Sequence, residues 1–176
     1  MCELPILMNG AMVRASGDVD KSALISPCGR YRYVLTRTWD GALPVLVFCM
    51  LNPSTADASQ DDPTIRRCIG FAKREDRGGI AVVNLFAWRA TDPEKLPILD
   101  TDKAGPENAE HVARTVMGRR VVVAYGAHFS AHPFVVQPFL SLLRANAASV
   151  HCLGTTKSGA PRHPLYVRDD APLQEV

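Results

Sequence analysis

The chain lacks most of the signatures that assign a function unaided. It has no C-x-x-C pair, and its five cysteines (Cys2, Cys28, Cys49, Cys68 and Cys152) are odd in number and widely scattered. That excludes a zinc ribbon and an iron–sulfur centre of the usual kinds. No Walker loop, G-x-S-x-G elbow or H-E-x-x-H motif is present, and no cofactor is implied. No apolar run approaches the ~20 residues of a membrane span. The longest, Pro44 to Leu51, has the length of a strand. The start, Met1-Cys2-Glu3-Leu4-Pro5, lacks the basic and apolar blocks of a secretory signal. A soluble cytoplasmic protein with reduced thiols is the expectation, with no membrane partner. An excess of charge is missing too: 20 Lys+Arg against 18 Asp+Glu leave a formal net charge of +2. This excludes a polybasic coat for nucleic acid but leaves room for a local basic cleft.

What is present is the composition of a packed domain. With 176 residues, 47% hydrophobic and 22% charged, the chain can bury a core without staples. No repeat or linker divides it, so it reads as a single domain with a weakly patterned segment over 1–29. Tyr31 to Trp39 alternates and is rich in aromatic and β-branched residues, which predicts a strand. Asp40-Gly41 is a turn signal, and Pro44 to Leu51 predicts a buried strand that would pair with the first as a hairpin. Asp62-Pro63 opens a helix carrying Ile65, Cys68, Ile69 and Ala72 at helical spacing, closed by Gly78-Gly79. Further apolar strands are predicted at Ile80–Phe86, Val121–Tyr125 and Val150–Leu153. Helices are predicted over Pro106–Met117, with Ala109, Val112 and Val116 on one side, and over Pro133–Ala145, where Pro138 would kink the second. Strands alternating with helices predict an α/β three-layer sandwich around a largely parallel sheet. In such sheets the loops after the strands converge on a ligand crevice.

The chemistry-bearing residues sit just after those strands. Asn52-Pro53-Ser54, with Asp57, Asp61 and Asp62 following, sets a turn and offers an amide that can hold a water; a plain Asx turn serves equally. Asn84 interrupts an apolar strand, where an amide either satisfies neighbouring backbone or reads a nucleobase edge. His128 and His132 have the spacing of a metal pair, but no acidic third ligand adjoins them, and a helix entry accounts for them. Lys157, Arg162 and His163 bring donors and positive charge to a glycine-flexible loop, which suits a phosphate or a developing anion as well as a solvated surface. Phe86 and Trp88 are stacking candidates beside Asn84, and Phe129 is another; Phe48 reads as core. Arg30, Arg32 and Arg37 would form either a basic ridge or a solvated edge.

Certain of these segments resemble a known family. They are Tyr31-Arg32-Tyr33 to Arg37, Met50 to Asp57, Asp61-Asp62-Pro63-Thr64, Val83-Asn84-Leu85-Phe86 and Lys157-x-Gly-x-Pro-Arg-His-Pro-Leu-Tyr. Together they resemble a bacterial and phage family catalogued as domain of unknown function sixteen-forty-three, over Tyr31 to Val167, which names no activity. More distantly the layout resembles the uracil-DNA glycosylase superfamily. That resemblance implies a uracil-DNA-glycosylase-like sandwich, here with an added N-terminal β-hairpin. It also implies that Asn52 positions a water, with Asp57 assisting, that Asn84 reads a base, and that His163 stabilises the departing base. Met50 and Ser54 stand where that superfamily has glycines, and Leu165 where a serine is usual. Three functions stay open: hydrolysis of an N-glycosidic bond in a nucleic acid or nucleotide, non-catalytic binding of a nucleotide or modified base, and an enzyme of modified-nucleotide metabolism with Lys157 and Arg162 on phosphate.

Overall fold

A computed structural model describes residues 19–54, 60–91, 97, 100–127 and 133–176. The amino-terminal start with Cys2, Asp57, His128, Phe129 and His132 lie outside the described residues. The chain runs β1 (Asp20–Ile25), β2 (Arg32–Thr38), β3 (Val45–Met50), α1 (Pro63–Arg74), β4 (Gly79–Asn84), α2 (Asp100–Ala104), α3 (Asn108–Val116), β5 (Arg120–Val123), α4 (Pro133–Asn146), β6 (Ser149–Cys152) and β7 (Gln174–Glu175). The strands form one seven-stranded sheet in the order β1-β2-β4-β3-β5-β6-β7. Its centre, β4-β3-β5-β6, is parallel, while β1, β2 and β7 pair antiparallel at the two margins.

The apolar runs of β3, β4 and β5 are buried on both sides, as a parallel sheet between two helical layers requires. Leu46, Phe48, Ile80, Val82 and Val122 face α1, packing on its Ile65, Cys68, Phe71 and Ala72. Val47, Cys49, Ala81, Val83, Val121 and Val123 face the other layer, against Val112 and Val116 of α3 and Val136, Phe139 and Leu143 of α4. Helix α1 begins as its sequence demands: Asp62 Oδ1 accepts the Ile65 amide at 2.8 Å, with Pro63 in the first turn. In α3 the residue buried with Val112 and Val116 is Asn108, whereas Ala109 is exposed. Asn108 Nδ2 donates to the carbonyls of Asn84 and Leu85 at 2.9 and 3.0 Å, which ties α3 to the end of β4.

Two expectations about the margins are corrected. The hairpin is β1–β2, not the pairing of Tyr31–Trp39 with Pro44–Leu51; β4 lies between β2 and β3. The glycines before and at the start of β4 make this insertion possible. A Cβ on Gly78 would stand 1.8 Å from the Asp40 carbonyl oxygen, and one on Gly79 2.7 Å from that of Arg37. The 38–44 segment therefore crosses directly over Gly78, whose carbonyl accepts the amides of Trp39 and Asp40.

The basic ridge is corrected as well. Arg32 and Arg37 are buried, at 2% and 0% exposure. Arg37 donates Nε to Asp61 Oδ1 and Nη1 to the Thr36 carbonyl, both at 2.7 Å, and reaches the Gln60 carbonyl at 3.4 Å. A buried guanidinium thereby fixes the approach to α1 against β2. Burial raises the Asp61 carboxyl pKa, but the Arg37 hydrogen bond and charge, with help from Lys21, outweigh it and hold the group below its usual 3.8.

Candidate functional site

The chain leaves β3 in one direction, through α1 to β4, and leaves β5 in the other, through α4 to β6. The space beyond the carboxyl ends of β3 and β5 is thus the topological switch point of the sheet, where open α/β folds bind ligands. A crevice of about 680 Å³ opens there. Met50, Leu51, Asn52 and Ser54 line it from the end of β3, and Tyr125, Gly126 and Ala127 from the end of β5. Asp62, Pro63 and Thr64 line it from the start of α1, and Arg162, His163, Leu165 and Tyr166 from the late loop.

Backbone bonds past the strand ends build these walls. Leu85 and Phe86 amides donate to Met50 and Leu51 carbonyls, and the Ala90 amide to the Pro53 carbonyl. The Asn52 side chain joins this zipper, its Nδ2 donating to the Ala90 carbonyl at 2.8 Å and the Pro53 carbonyl at 3.2 Å. Its amide group thereby holds the 52–54 turn, leaving Oδ1 as its acceptor toward a ligand or water.

The late loop folds back on itself. Arg162 N donates to the Gly154 carbonyl, Thr155 bridges Pro161, and the Pro161 carbonyl accepts the Gly126 amide at 2.9 Å. Gly126 adopts φ +75, a conformation that favours glycine, and it packs beside His163. Arg67 of α1 then clamps the turn at Pro164–Tyr166, donating to the Pro164 and Val167 carbonyls and pairing with Asp169.

His163 is half-buried. Its Nδ1 accepts the Leu165 amide at 3.3 Å, so the neutral ring carries its proton on Nε2. Burial pushes its pKa below the usual 6.5, with Asp62 pulling weakly the other way. A neutral imidazole in this position offers its Nε2–H as a hydrogen-bond donor. Leu165 and Tyr166 stand at the rim, 41% and 78% exposed.

The structure brings Asn52, Ser54, Arg162 and His163 of the expected site residues to one crevice. Pro53 is buried beside it and contributes its carbonyl to the zipper. Lys157 is exposed on the loop and lines neither the crevice nor its neighbour. Phe86 is not at the crevice: it is fully buried in the layer beneath α3 and α4, with Lys103 Nζ 5.5 Å from its ring, so it has no face to offer a base. Phe48 is core, as expected.

Asn84 stands one step behind the wall. It is paired in register with Met50, a lining residue, and alternation along β4 turns its side chain to the same α1-facing side. At 1% exposure, neither its Oδ1 nor its Nδ2 has a hydrogen-bond partner. The wall formed by Asp62–Thr64 falls in a segment the sequence had singled out, whereas nothing in the sequence pointed to the Arg67 clamp.

Among the described residues no three His, Cys, Asp or Glu side chains approach one another as metal ligands, and no helix is long and apolar enough to cross a membrane. Cys28, Cys49, Cys68 and Cys152 are free thiols. The fold and site define a doubly wound α/β protein with a crevice at its switch point. The chain belongs to the family described as Protein of unknown function (DUF1643), which matches it over residues 32–165, from β2 through the late loop. No curated protein and no solved structure matches it.

Proposed function

We propose that the crevice receives a nucleobase of a nucleic acid or nucleotide, and that the protein hydrolyses its N-glycosidic bond by the route that the resemblance of its sequence layout to uracil-DNA glycosylases implies. The observation that carries this reading is that Asn52 and His163, far apart in sequence, line one crevice at the switch point. In the proposed reaction Asn52 Oδ1 orients a water toward the sugar carbon. The carbon–nitrogen bond breaks, the base departs with the bonding pair, and His163 Nε2–H donates to the charge that collects on it. The water's proton passes to Asp57, which is outside the described residues, or to the departing base. Asn84, the buried amide without a partner, reads the base edge once ligand binding opens the Met50 wall. A base within a duplex would have to be flipped to reach this depth.

Incubation with DNA containing uracil, hypoxanthine or hydroxymethylated bases, followed by alkali, tests the proposal. Strand breaks at the modified base that disappear in Asn52→Ala and His163→Ala are expected. No cleavage of any of these substrates, with both variants indistinguishable from the native protein, refutes hydrolysis on them. One observation favours a second reading, binding without chemistry. The Asn52 amide nitrogen is already committed to two backbone carbonyls, as a purely structural asparagine would be. Thermal stabilisation by a nucleotide without turnover, lost in Asn84→Ala, is the outcome that reading predicts.

A further inference from the structure

Beside the crevice lies a second, smaller pocket of about 370 Å³, lined by Gly29, Arg30, Ser54, Trp88, Arg89, Ala90 and Thr91. Ser54, Ala90 and Thr91 line both cavities, so the two adjoin across a shared wall. We propose that the Arg30–Trp88–Arg89 pocket is a phosphate site that anchors the ligand whose base enters the crevice. The link between the two cavities rests on the base-recognition reading given above.

The turn between β1 and β2 delivers Arg30, and the segment after β4 delivers Trp88 and Arg89. An antiparallel bridge between Tyr31 and Trp88, and the Arg89 amide donating to the Arg30 carbonyl at 2.9 Å, lock these two segments together. Tyr31 meets the Trp88 ring edge-on at 5.5 Å, and the Arg30 guanidinium sits 6.0 Å from the ring centre. Both arginines are therefore held by rigid neighbours before any ligand arrives, which lowers the ordering cost of binding.

Neither the Arg30 nor the Arg89 charge is met by a carboxylate among the described residues, whereas Arg37, Arg67, Arg74, Arg114 and Arg168 each have one. Arg89 gives Nη1 to the Gly29 carbonyl at 3.2 Å, but its Nε is buried without any partner. A buried N–H with no acceptor is costly, and a phosphate oxygen would satisfy it. Two guanidiniums at a concave wall, one with a donor left over, have the chemistry that binds a phosphate group. The phosphate role thus falls to Arg30 and Arg89 rather than to Lys157. The group recognised can be the terminal phosphate of a mononucleotide or the diester of a strand, and the test separates these.

Spectra of the ¹⁵N-labelled full chain, reading the Arg89 Nε–H and Trp88 indole N–H signals for the pocket and the Gly126 and Leu165 amide signals for the crevice, test the proposal. The probes are inorganic phosphate, deoxyuridine 5′-monophosphate and an eight-residue single strand containing deoxyuridine. The nucleosides deoxyuridine and deoxyinosine serve as phosphate-free probes of the crevice. Phosphate is expected to shift both signals, and Arg30→Gln to weaken its binding about tenfold or more, the loss of a charge-assisted contact. Among the described residues Arg30 reaches only the Trp88 ring and the Cys28 thiol, so this variant leaves the backbone bonds of the turn in place. Arg89→Gln should act in the same direction, and Asn84→Val should leave phosphate binding unchanged. Tighter binding of the monophosphate assigns the terminal group, and tighter binding of the strand assigns the diester. Phosphate-dependent shifts with no crevice response to either nucleoside uphold the phosphate site and remove the base-recognition reading for these two bases. Crevice shifts from the nucleosides, with no phosphate response or one that both variants leave intact, overturn the phosphate site and leave that reading standing.

Discussion

Asn84, the last residue of β4, and Asn108, the first residue of α3, carry opposite predictions, and the difference turns on hydrogen-bond geometry alone. Asn84 is fully buried with both amide atoms unpartnered, next to Met50 and on the α1 side of the sheet. Leaving a buried polar group unpaired costs about 1–3 kcal/mol. Asn84→Val removes that cost with a β-branched residue that suits a strand and is one heavy atom smaller. An imperfect fit takes back about 1 kcal/mol, so the expected net effect is a gain of about 1 kcal/mol. Asn108→Ala has the reverse sign: two buried carbonyls, of Asn84 and Leu85, lose their donor, at a cost of about 2 kcal/mol. Urea unfolding followed by tryptophan fluorescence measures both, with midpoints compared at constant slope. Asn84→Val should be more stable than the native protein and unable to bind the ligand. A loss of 1 kcal/mol or more would show that the Asn84 amide is satisfied in the free protein, and no reason would remain to assign it to a ligand.

Three further outcomes are expected. Arg37→Met removes charge-assisted bonds to Asp61 and the Thr36 carbonyl and should destabilise by about 3–4 kcal/mol. Because the Asp61 pKa is held below its usual 3.8, its contribution is complete above that pH and is lost as pH falls further; acid titration of stability should show this decline in the native protein and a shallower one in Arg37→Met. Gly78→Ala places a Cβ against the Asp40 carbonyl oxygen and should cost about 3 kcal/mol, seen as a lower urea midpoint. Burial lowers the His163 pKa, so the neutral ring and its share of stability persist above pH 6.5 and are lost as pH falls from 6.5 through the folded value. Ligand binding should weaken over the same range, and His163→Gln should flatten that profile.

The parallel centre of the sheet was legible because its strands are short, largely apolar runs separated by helices, the first of them marked by its cap at Asp62-Pro63. Its margins were not. Strand β1 is an edge whose residues are mostly exposed, and β7 has only two residues, so neither carries a hydrophobic period. The partner of β2 was misread because β4, which separates β2 from β3, arrives about forty residues later in the chain. Alternation marked Arg37 as a surface residue, yet it is buried because Asp61, 24 residues away, supplies its counter-charge. Asn52 and His163 could be nominated because strand-end loops converge in such folds. The side pocket could not, since nothing local in sequence announces that Tyr31 bridges Trp88. Phe86 shows the converse error: a ring next to a site residue in sequence lies on the other face of the sheet.

The crevice at the switch point is proposed to take a nucleobase between Asn52 and His163. A crystal structure of the protein soaked with uracil and, separately, hypoxanthine is the decisive measurement. A planar ring is expected in the crevice, with an acceptor atom within hydrogen-bond distance of His163 Nε2 and its edge toward Asn84. An ordered ring bound elsewhere, or a crevice that stays empty at saturating base, refutes base recognition there.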